Sequence, residues 1–90
     1  MATQMTPDTA QALALNALEF LANSPDNLDG FMAATGINGD ELRERLEEPT
    51  VLAAVIDFML KDERLLVEFC DTASIKPRDI HLASHLLSNL

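Results

Sequence analysis

Two histidines, one cysteine and a scatter of carboxylates are the residues of this chain with the means to do chemistry, and their spacing decides what each could do. His81 and His85 stand four apart, so on a helix they share a face. Such a pair can hold zinc or nickel, but it supplies two ligands where a structural zinc site wants four, and Asp79 does not fall on that face. Two surface histidines are therefore expected, with metal binding the weaker reading. Cys70 is the only cysteine, so no intramolecular disulfide can form, which fits a reducing compartment. As a nucleophile it would need a base, and no histidine is close in sequence. It falls on an apolar helix face with Leu66 and Phe69, so a buried thiol is expected. Glu19 and Asp57 each precede a Phe. Paired carboxylates can carry out general acid–base catalysis, but these two have no further titratable partner in view and are expected to face solvent or cap a neighbouring helix. No Gly-rich phosphate loop, nucleotide motif or nucleophile signature appears. The expectation is a protein that is not an enzyme, with no catalytic residue and no cofactor.

The elements that must position these residues are helices. Thr6-Pro7-Asp8 offers an N-cap, a proline suited to the first helical turn and an acid near the positive helix end. Ser24-Pro25-Asp26 repeats that arrangement, and Asn38 with Glu41 reads as a capping box. Glu48-Pro49, Asp62-Glu63 and Lys76-Pro77 are further starts. Together they predict helices over about 7–22, 25–35, 39–47, 50–60, 63–73 and 77–88. Gly36 suits a left-handed helix end. No segment alternates apolar and polar over a strand length.

Helical spacing names the faces to be buried. They are Leu13, Ala14, Ala17, Leu18 and Leu21 on the first helix, and Leu28, Phe31, Met32 and Ala34 on the second. The fourth, Val51 to Leu60, is apolar on nearly every side and belongs at the centre. The fifth offers Leu65, Leu66, Phe69, Cys70 and Ala73, and the sixth Ile80, Ala83, Leu87 and Leu90. The sixth also carries Leu82 and Leu86, a second apolar stripe beyond what one face needs, and a stripe left exposed marks a contact surface.

All four phenylalanines fall in two pairs 38 residues apart, Phe20 with Phe58 and Phe31 with Phe69. The same shift sets Leu28 on Leu66, Ile37 on Ile75, Leu42 on Ile80 and Glu19 on Asp57. The fold expected is all-α: six short helices in a compact single-domain bundle, with two pseudo-repeated three-helix halves over about 14–46 and 52–84. Residues 1–6 are expected to form a flexible tail before the domain of 7–90. If the repeat is structural, Phe31 and Phe69 must both be core.

Fifteen acids against six bases give a net charge of −9 over 90 residues. Phosphate recognition draws on Lys and Arg, so nucleic acid and anionic membranes are poor ligands. Segment 25–47, turning at Gly36, has the outline of a helix-turn-helix, which makes a nucleic-acid-associated regulator the alternative function. Its would-be recognition helix, Asp40 to Glu48, sets five acids against two arginines, which phosphates would repel. The longest apolar run, Val51 to Ile56, is far below the roughly 20 residues of a membrane helix. Residues 1–8 lack the basic and apolar regions of a signal peptide. A cytoplasmic location is therefore expected. The favoured function is a non-catalytic acidic module that binds an unknown protein partner or itself, with a homodimer open, through Leu82, Leu86, Leu90, Glu44 and Glu47.

Several stretches resemble one family. Ala14-Leu-Asn-Ala-Leu-Glu-Phe-Leu-Ala22, Ser24-Pro25, Leu28, Phe31, Thr35-Gly36-Ile37, Leu42-Arg43 and Val51 to Leu66 are similar to domain of unknown function 3572, small alphaproteobacterial proteins. The likeness covers about residues 10–88 and rests on caps and core positions. It implies an all-helical, single-domain cytoplasmic protein and brings no activity, cofactor or site residue. Asn38-Gly39 departs from the proline-type start that the resemblance leads one to expect, which puts the start of the third helix in doubt.

Overall fold

A computed structural model describes residues 5–89. The described chain forms six helices: α1 (Pro7–Ala22), α2 (Pro25–Thr35), α3 (Gly39–Glu44), α4 (Pro49–Leu60), α5 (Glu63–Ala73) and α6 (Pro77–Ser88). No strand occurs among the described residues. Of the expected N-terminal tail, residues 1–4 lie outside the described ones; Met5 packs against the core and Thr6 caps α1.

The starts work as their residue types require. Thr6, Asn38 and Asp62 each accept a hydrogen bond from the backbone N–H three residues on, at 3.2, 2.8 and 3.2 Å. Pro7, Pro25, Pro49 and Pro77 all sit in first turns, where a missing N–H costs nothing. The expected capping box at Asn38 is half made: the Glu41 carboxylate turns instead to Arg45, 3.9 Å away. Ser24 starts α2 without a side-chain cap bond.

α3 ends at Glu44, three residues short of the expected 47, and residues 45–47 form a turn. Pro49 holds Glu48 extended (φ −69°, ψ 130°), which sets 47 as the furthest a helix could reach, but the chain leaves helical geometry sooner, at Arg45 (φ −115°, ψ 22°).

α4 is the centre, touching α1, α2, α5 and α6, and α6 lies across both α1 and α4. α3 makes no extensive contact with any other helix. The core is wholly apolar among the described residues, with Leu21, Phe31, Leu52, Val55, Ile56, Met59 and Ile80 fully enclosed. Ala34, expected on the buried face of α2, is exposed. A radius of gyration of 12.2 Å is that of a compact domain of this length, about 12 Å.

Several features of the fold recur at the 38-residue spacing. α2 and α5 coincide at both ends under that shift, α1 and α4 coincide at their last residue, and α3 and α6 at their first. Phe31 and Phe69 are both buried, 0% and 2% exposed. The ring contacts cross between the halves. Phe20 meets Phe69 at 5.4 Å and Phe31 meets Phe58 at 5.6 Å, so each pair is the image of the other. Even the helix ends correspond: Gly36 (φ 76°) and Ser74 (φ 56°), 38 apart, both close a helix in the left-handed conformation.

Candidate functional site: an open groove in the first half

The repeat is not perfect, and the site lies where it fails. α6 has 12 residues and α3 only six. In the second half α6 is clasped to α4 by the Ser84 hydroxyl, which donates to the Asp57 carboxylate at 3.1 Å, and Cys70 beneath is buried. The first-half counterparts of Asp57, Cys70 and Ser84 are Glu19, Met32 and Leu46, which all line one open groove, whereas Asp57 borders a separate pocket of about 530 Å³ between α4 and α6 that neither Cys70 nor Ser84 lines. That groove, about 500 Å³, runs between α1, α2 and α3. Leu18, Ala22, Leu28, Met32, Leu42 and Leu46 form its apolar walls, and Glu19, Gly39 and Arg43 its edges. Met32, Leu28 and Leu46 are half-buried, part in the core and part facing the groove. A flexible thioether on such a floor can repack around different side chains.

The residues expected to carry function are scattered by comparison. Leu82 is exposed, at 48%, and lines a smaller cavity of about 330 Å³ between α1 and α6 with Met5, Leu13 and Ile75. Leu86 is half-buried against the core, so the second stripe of α6 is only partly free. Leu90 lies outside the described residues. Glu44 and Glu47 are exposed, flanking Arg45 and Leu46 at the groove's α3 wall. Arg45 is taken up by Glu48 and Glu41, and the bond to Glu48 raises its pKa first of all, with the Glu48 and Glu41 charges adding to it.

His81 and His85 are exposed on α6. The Asn89 side-chain amide donates to the His85 carbonyl at 2.9 Å and lies 3.4 Å from its Nε2. Among the described residues no three His, Cys, Asp or Glu converge as metal ligands. Cys70 is 6% exposed; burial, with Asp71 and Asp79 adding to it, pushes its thiol pKa up, away from nucleophilic character. Glu19 and Asp57 are exposed, as expected, on different helices. In the helix-turn-helix-like segment, α3 spans six residues of which Asp40, Glu41 and Glu44 are acids, so the element that would enter a nucleic-acid groove is short and negatively charged.

The family model described as Protein of unknown function (DUF3572) matches residues 7–89. The chain belongs to this family. No curated protein and no solved structure matches it. The DUF3572 match spans all six helices, so the groove and every helix cap but Thr6 lie within the family's domain. No helix among the described residues of this DUF3572 protein is long and apolar enough to cross a membrane.

Sequence reasoning placed Leu18, Leu28 and Met32 on buried faces and left Ala22 and Leu46 without a role. None was read as a groove residue. No local signal marks the groove, because it depends on how α3 packs against α1 and α2.

Proposed function

We propose that this chain is a non-catalytic acidic protein-interaction module whose contact surface is the groove between α1, α2 and α3. The observation supporting it is the groove itself, an apolar trough half-filled by Met32 and edged by charge. Apolar surface of that kind is costly to leave in water, and it marks places where partners bind. Glu44 and Glu47 at its edge carry the acidic part of the recognition, and Leu82 offers a smaller apolar contact on the far side.

The test is comparative capture from cells that make the protein, with wild type, Ala22→Trp and Ala12→Trp as baits. Both alanines are exposed, so neither tryptophan disturbs the core, but Ala22 lines the α1–α2–α3 groove and Ala12 the α1–α6 cavity. A protein held by wild type and Ala12→Trp and lost by Ala22→Trp is the expected result. Identical captures on all three baits contradict the reading.

A further inference from the structure

The charge of the molecule is concentrated where the groove is. Between Glu19 and Glu48 lie eight acids and two arginines, a net −6 of the chain's −9. The part from Pro49 onward, with six acids against four bases, is close to neutral at −2. Of the two arginines, Arg45 is already paired with Glu41 and Glu48. Arg43 is the single basic residue on the groove wall; its stem can lie along apolar surface while its head stays in water. Glu19 and Arg43 on the groove itself carry opposite charges, but the exposed acids Asp40, Glu44 and Glu47 stand next in sequence to its α3-side residues Gly39, Arg43 and Leu46, a concentration of negative charge that the second half lacks.

The repeat also says what shape fits. In the second half a 12-residue helix, α6, packs along α4 and α1, buries its own Ile80 there and bonds through Ser84 to Asp57 of α4. In the first half α3 stops after six residues and the equivalent ground stays open at Met32 and Leu46. A helix is the object this scaffold already accepts at that place.

Resting on the interaction reading above, we infer that the groove's occupant is a basic amphipathic helix of another protein. It seats one apolar stripe (i, i+3 or i+4, i+7) on Met32, Leu28 and Leu46, and presents Lys or Arg to the rim of Glu19, Asp40, Glu44 and Glu47. A second copy of this chain seated groove to groove is the wrong occupant, because two segments of net −6 would then face each other.

The probes are three helix-stapled peptides added to the full chain. One has Leu at i, i+3, i+4 and i+7 with Lys elsewhere; one keeps the stripe but carries Glu for Lys; one has the Lys composition with the Leu residues scattered. Binding is read by anisotropy and located by amide chemical shifts. The striped Lys peptide is expected to bind at least about tenfold tighter than either other peptide. It should shift Leu28, Met32, Gly39 and Leu46, weaken as salt is raised, and lose about tenfold on Ala22→Trp but not on Ala12→Trp. No binding by the striped Lys peptide at millimolar concentration overturns the inference. Equal binding by the scattered or Glu peptide overturns it too, as do shifts centred on Leu82 or a mass that rises with protein concentration. If the baits capture a groove-dependent protein whose contact segment is not a basic helix, this inference fails while the interaction reading stands; if all baits capture alike, both fail.

Discussion

Single residues carry the sharpest consequences of the repeat. Phe31 and Phe69 are enclosed in equivalent places, so truncating either to Ala should cost about 3–5 kcal/mol, and by similar amounts, in denaturant unfolding. The paired left-handed helix ends behave oppositely under substitution. At Gly36 a Cβ would meet nothing within 4 Å, so Gly36→Ala tests the backbone alone; it should cost about 1 kcal/mol. Ser74, with φ 56°, already bears that strain, and Ser74→Gly should gain about 0.5–1 kcal/mol. Cys70 supplies a pH signature. Its pKa is raised in the fold, so the native state holds the proton more tightly than the unfolded chain. Its contribution is fully present below the ordinary thiol pKa and is lost as pH rises through the folded value. Unfolding midpoints should therefore fall in the alkaline range, and less so in Cys70→Ala, once each protein is referred to its own neutral-pH midpoint. At this scale the sequence was largely legible, because helical period names buried positions. Ala34 was misread because α2 turns that side to solvent, and the left-handed end at Ser74 went unread because a serine gives no sign of positive φ; only its place 38 residues after Gly36 does.

At the scale of elements, five helices were legible because caps and prolines are local signals, and all five ended where expected, α4 starting one residue earlier than expected. α3 was not, because Arg45 and Leu46 suit a helix in themselves. Pro49 bars the helix only from Glu48 onward, and the earlier departure at Arg45 has no marker in the residue types. α3 also lacks extensive contacts, so its amides should exchange with solvent ahead of those of α1, α4 and α6 in a native-state hydrogen-exchange experiment. Its N-cap bond at 2.8 Å is one of its few supports, and Asn38→Ala should cost about 1 kcal/mol and speed exchange in α3 first. Equal protection across all six helices would contradict the view of α3 as a loosely held wall.

For the whole molecule, the meaning of the repeat lies in its breakdown. Two similar halves share one apolar core, yet the second carries a third helix twice as long and is nearly neutral, while the first has a short third helix beside an apolar groove and holds most of the negative charge. The groove was not legible in the sequence, since its openness depends on how far α3 stands from α1 and α2, a packing result with no local marker. The uneven charge was there to be read, and its placement around an apolar trough gives it a use beyond solubility. The most direct check on that use is photo-crosslinking in cells that make the protein, with a photoreactive amino acid at position 22 in the groove or at position 12 in the α1–α6 cavity. The account predicts a discrete protein adduct from position 22 and none of matching yield from position 12. Equal labelling from both positions, or adducts to nucleic acid in place of protein, would contradict it.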